Sequence, residues 1–191
     1  TAGKAYSAAN IKVDSKGVWL TASEMAFCRA EGALAGWSNM GGSAKDLYEE
    51  GVKLSFEQWG AGSATAYLAD NTSTEKNYVD PISEYGGDVS AVSNITIKWD
   101  DSATDEQKME RLITQKWIAM FPNGQEGWSE IRRTGYPKVF PLAQSTDYSI
   151  QVANRIPFDI DEATNNKANY IKAVQMLKGN DDYATKMWWQ R

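Results

Sequence analysis

Acidic side chains are the residues of this sequence whose types and spacing could do chemistry. They stand in pairs at Asp100-Asp101, Asp105-Glu106, Asp159/Asp161/Glu162 and Asp181-Asp182. Two carboxyl groups held about 5 to 10 Å apart can hydrolyse a glycosidic bond, one as acid and one as nucleophile or base. Each of these pairs, however, flanks an expected helix start or a turn, where a carboxylate accepts backbone N–H bonds, so capping accounts for them. They do not spell a calcium loop either. Counted from Asp159, the sixth position is not Gly and the twelfth is Tyr170 rather than Glu. No metal site and no cofactor are expected.

The densest run of potentially reactive groups is QKWIAMFPNGQEGWSEIRRTGYP, Gln115 to Pro137. A catalytic reading would need a nucleophile, a base and a group to orient them. The run offers carboxylates at helix-surface spacing and two cations, Arg132 and Arg133, in what reads as the last turn of a helix, where positive charge complements the exposed carbonyls. It is therefore expected to be architecture. The sequence contains no His, which removes the commonest general base and zinc ligand near neutral pH, and a single cysteine, Cys28, which excludes an internal disulfide. Cys28 is expected to fill the core of a helix rather than to react.

The elements that position these groups announce themselves by their caps. Thr21 and Glu24 open a helix over 22–36 with a small-residue face (Ala22, Ala26, Ala30, Ala33). Ser43 opens a second, whose stripe is bulky: Leu47, Tyr48, Val52, Phe56, Trp59. Large groups facing small ones across a short turn make a tetratricopeptide-like helical hairpin. A short helix is expected in SATAYLADN, then a long loop to about residue 94. Ile95, Ile97 and Trp99 alternate with polar neighbours as a half-buried strand does. Thr104 and Gln107 cap a further helix that ends at Pro122, Asn123-Gly124 begins a shorter one that Gly135 and Pro137 stop, and a last helix runs from near Asn169 to Lys178-Gly179. The fold class is mainly α, with long ordered loops and a few short strands, in one domain over residues 1–191.

With 20 basic against 25 acidic residues and no Lys/Arg-rich run, nucleic acid is not an expected partner. Eight Trp and nine Tyr point instead to sugars, whose C–H faces stack on flat rings. Trp37, Tyr48, Trp59, Trp117 and Trp128 lie on helix stripes and are expected in the core. Tyr78, Tyr85 and Trp99 lie in or at the edge of the long loop, where binding groups are displayed, and are the candidate ligand contacts. Trp99 fits an inward strand position equally well.

Five segments together, TASEMAFCRAEGALAGW, MGGSAKDLYEEGVKLSFEQWG, ERLITQKWIAMFPNGQEGWSEIRRTGYP, RIPF and KMWWQR, resemble in that order the carboxy-terminal part of the SusD/RagB-like outer-membrane nutrient-binding lipoproteins of Bacteroidetes. The resemblance implies a SusD-like helical fold and non-enzymatic binding of an oligosaccharide or polysaccharide. It also implies a surface-exposed place at the outer membrane and delivery to a SusC-like TonB-dependent transporter. Family members are longer and carry a lipidated amino-terminal cysteine that this sequence lacks, so the chain reads as the carboxy-terminal portion of a longer protein. Two other functions fit the residues: a helical-repeat scaffold for another protein, and a two-carboxylate glycoside hydrolase.

Overall fold

The computed structural model describes residues 8–15, 17–81, 87–140 and 152–190. Seven helices are seen among them: α1 (Ala22–Leu34), α2 (Ala44–Trp59), α3 (Thr65–Ala69), α4 (Asp105–Ala119), α5 (Gly124–Thr134), α6 (Ile160–Asn165) and α7 (Lys167–Leu177). The caps work as the sequence predicts. Thr21 Oγ1 accepts from Glu24 N–H at 3.0 Å, and Ser43 Oγ accepts from Asp46 N–H at 3.1 Å. Thr104 and Gln107 form a reciprocal capping box on α4. Gly60 and Gly135 end α2 and α5 with φ of +62° and +80°, the left-handed conformation that glycine adopts without strain. The helix α6, which the sequence reads only as capping acids and turn, is a short addition started by Asp159.

α1 and α2 form the hairpin, and α4 packs across both. Their closeness comes from Gly51, where an added Cβ would fall 2.8 Å from the Phe27 ring. Beside it, Ser23 Oγ donates to the Gly51 carbonyl at 2.7 Å. The core gathers Phe27, Ala30, Leu47, Tyr48, Val52, Trp99, Leu112 and Ile113, with the Tyr48 and Trp99 rings 5.2 Å apart.

Three expectations are corrected. The segment around Ile95 to Trp99 is not a strand, because its carbonyls are taken by side chains: Arg111 Nε donates to Thr96 O and the Tyr48 hydroxyl to Ile97 O. Among the described residues the single β pairing is an antiparallel bridge between Tyr78 and Val89. Of the five aromatics expected inside, only Tyr48 is; Trp37 is 68 % exposed, Trp59 52 % and Trp117 40 %, and Trp128 is half-buried. The helical period locates an apolar stripe without saying how much of it a neighbour covers. Cys28 is exposed rather than core, on the flank of α1 that faces Lys116.

Candidate functional site

The run from Gln115 to Pro137 is tied up in its own structure. Lys116 Nζ lies 2.7 Å from Glu130 Oε1, and the other oxygen of Glu130 takes Arg133 Nη2 at 2.7 Å. Arg133 also grips both oxygens of Glu31 on α1. Burial pushes the Lys116 amine toward neutrality, but the hydrogen bond and charge of Glu130 outweigh it and hold its pKa above the ordinary lysine value. Arg132 Cζ lies over the Trp128 ring, 3.6 Å from its centroid, and 4.9 Å from that of Trp189, while its Nη1 donates to Asn154 O. These charges join α1, α4, α5 and the carboxy-terminal segment.

The paired acids are likewise engaged. Asp100 caps a turn through Ser102, and Asp101 accepts from Trp99 Nε1. Glu106 accepts from the Tyr136 hydroxyl, Asp159 caps α6, and Asp182 accepts from the N–H groups of Ala184 and Thr185. Asp181 binds Arg155 and Phe158 N–H. Among the described residues no group of three or more His, Cys, Asp or Glu is placed to hold a metal ion.

Of the three candidate ligand contacts, Tyr85 lies outside the described residues. Trp99 takes the inward alternative and is only 7 % exposed, so its ring faces are spent on the core. Tyr78 is half-buried in the loop, its ring centroid 6.1 Å from that of Phe140. Phe140 in turn walls a cavity of about 380 Å³ between α3, α4 and the loops around residues 73–75, 93–97 and 137–140. The structure thus places Tyr78 against a wall residue of the cavity, without putting it or Trp99 in the described lining.

Tyr67, Ile95, Ile97 and Phe140 make this cavity mostly apolar. Its polar end is built by Gln115, Glu75 and Ser93. The Tyr67 hydroxyl, its pKa raised by burial, donates to Gln115 Oε1 at 2.9 Å. No acceptor among the described residues engages Gln115 Nε2. One oxygen of Glu75 accepts from Val92 N–H and Ser93 N–H, which ties the loop down. Such a lining, apolar walls with a few fixed polar groups, is what a small-molecule site requires. Glu75 is the only carboxylate among the described lining residues, so no acid pair faces across the cavity. Sequence reasoning missed Gln115, Tyr67 and Phe140. The legible signal was Gln115 itself, a polar residue one turn from Leu112 on the inward side of α4.

A mainly α scaffold built on a tetratricopeptide-like hairpin, with a mostly apolar cavity against its third long helix, is the class of protein that these features define. The chain belongs to the SusD-like family, described as Susd and RagB outer membrane lipoproteins, which matches residues 1–190. A SusD-like protein from Bacteroides thetaiotaomicron VPI-5482 is similar at 49 % identity and a TM-score of 0.79, over 88 % of this chain and 36 % of that one. A chitin-binding SusD homolog from Flavobacterium johnsoniae gives 47 % and 0.79, over 90 % and 36 %. A SusD homolog from Bacteroides uniformis ATCC 8492 gives 43 % and 0.84, over 95 % and 38 %. The chain thus spans under two fifths of the length of these three structures. Comparison with curated proteins finds no match.

Proposed function

We propose that the protein binds a glycan without turning it over, at the cell surface of the outer membrane, and passes it as oligosaccharide to a SusC-like TonB-dependent transporter. Family membership supports the location and the nutrient-binding role. The relative described as chitin-binding supports a glycan as cargo. Attachment to the membrane is by a lipid outside this chain; among the described residues no helix is long and apolar enough to cross a membrane.

The observation that carries the reading is the cavity with Gln115 at its polar end and Tyr78 beside its wall residue Phe140. A ring can lie on the aromatic and aliphatic wall, while Gln115 Nε2 donates to a hydroxyl or acetamide oxygen. The test is affinity electrophoresis and calorimetry of the full-length protein with chitin oligosaccharides and a panel of other soluble glycans, with Gln115→Leu and Tyr78→Ala beside the parent. Retention that drops in both variants supports the site. Unchanged affinity in both would remove this cavity as the place of binding, and retention by no glycan would remove the glycan itself. Product formation abolished by an Asp or Glu substitution would make the protein a hydrolase instead.

A further inference from the structure

The polar end of the cavity has a fixed polarity. Tyr67 on α3 is steadied by Phe56 on α2, the two ring centroids 5.2 Å apart, and its hydroxyl donates to Gln115 Oε1 at 2.9 Å. Burial raises the pKa of this phenol, so it keeps its proton throughout the neutral range and stays a donor. Gln115 is itself only 8 % exposed. Were its amide turned over, Nε2 would point at the phenol oxygen, and the phenol proton would have no acceptor among the described residues. An unmatched donor in such a place is costly. Tyr67 therefore keeps Oε1 for itself and leaves the N–H edge of the amide for whatever enters.

The rest of the lining narrows what that donor meets. One oxygen of Glu75 is spent on the Val92 and Ser93 N–H groups, and the other accepts from nothing among the described residues. Lys138, the one cation in the described lining, lies 3.0 Å from Glu110 Oε2, so its charge is already matched and does not call for a uronate or a sulfate. Ile95, Ile97, Val139 and Phe140 supply an apolar wall. A donor, an acceptor and an apolar surface are the counterparts of the three parts of an acetamido group, which are its carbonyl oxygen, its N–H and its methyl. A hydroxyl in the same place can use either edge of the amide and leaves the wall unfilled.

On the reading that this cavity binds glycan, we infer that Tyr67 is a positioning residue that locks the Gln115 amide and so makes the site select N-acetylated amino sugars over sugars with a hydroxyl at the same carbon. Tyr67 acts on the sugar through Gln115. Its effect is on the choice between ligands more than on affinity as such.

The test is calorimetry of the full-length protein with N-acetyl-chitotetraose and cellotetraose, which carry acetamide and hydroxyl at the same carbon, on the parent, Tyr67→Phe and Gln115→Leu. The parent is expected to bind the acetylated tetramer about tenfold more tightly, the worth of one well-made hydrogen bond with its methyl contact. In Tyr67→Phe the amide is free to turn, and the preference is expected to shrink to about threefold or less through weaker binding of the acetylated tetramer alone. The readout is a ratio of two affinities on one preparation, so any loss of folded protein cancels. A parent that binds the two tetramers equally overturns the inference. So does a Tyr67→Phe variant that keeps the full preference while both affinities fall alike; in either case the cavity stands as a glycan site so long as Gln115→Leu weakens binding. Binding of neither tetramer, or affinities that Gln115→Leu leaves unchanged, removes the cavity as the glycan site and the role of Tyr67 with it.

Discussion

Lys116 Nζ and Glu130 Oε1 lie 2.7 Å apart with both side chains only 4 % exposed, so α4 and α5 are joined by an ion pair that water barely reaches. Removing one partner strands the other charge without its hydration. Lys116→Met is therefore expected to cost about 3 to 5 kcal/mol in urea unfolding of the folded protein. The double change Lys116→Met, Glu130→Leu should cost less than the single one, because no charge of the pair is left unmatched, although Arg133 then leans on Glu31 alone. A single variant as stable as the parent would refute this. The lysine pKa is raised on folding, so its contribution is complete below the ordinary lysine pKa and disappears as pH climbs through the raised value. Loosening of the α4–α5 contact is thus expected only in strong alkali.

Gly51→Ala tests the hairpin. The new methyl would meet the Phe27 ring, which is fully buried and cannot swing away. Overpacking of this kind costs about 1 to 3 kcal/mol, read as a lowered thermal midpoint. Phe27→Leu in the same chain should return part of that loss; a further fall of the full single-mutant size would argue against a steric cause.

Tyr78 and Trp99 should part company. Tyr78→Ala is expected to weaken glycan retention about tenfold, equivalent to about 1.4 kcal/mol, with little change in unfolding. Trp99→Ala is expected to destabilise by about 3 to 5 kcal/mol, since its ring packs on Tyr48, while affinity measured below the melting temperature stays at the parent value. The opposite pattern would place the sugar on Trp99.

Acid should release the carboxy-terminal segment before the hairpin. Asp181 is largely enclosed, which by itself would raise its pKa, but Arg155, Phe158 N–H and the Tyr170 hydroxyl win and hold it below the ordinary aspartate value. A depressed carboxyl contributes stability above its unfolded pKa and loses it as pH falls through the folded one. Hydrogen exchange in residues 152–190 is expected to quicken below pH about 4, and Asp181→Asn should flatten that dependence. Exchange that quickens first in α1 and α2 would contradict it.

The helices were legible because their ends are written in local chemistry: Thr21, Ser43, Thr104 and Asn123 begin them, and Gly135 stops one of them. Periodicity misjudged the tryptophans. Trp59 and Trp117 do lie on apolar stripes, but what covers a stripe is a tertiary fact that the stripe does not contain. Trp99 was placed on the correct side by alternation while its strand was not, since Tyr48 and Arg111 replace a ladder partner from 49 and 15 residues away. The cavity escaped for the same reason. Tyr67, Gln115 and Phe140 are far apart in the chain, and only the packing of α3 on α4 makes them neighbours.

Arg132 faces the rings of both Trp128 and Trp189, so one guanidinium fastens the carboxy-terminal segment to α5. A change at that single cation would be felt by two indoles at once, as a joint shift in their fluorescence.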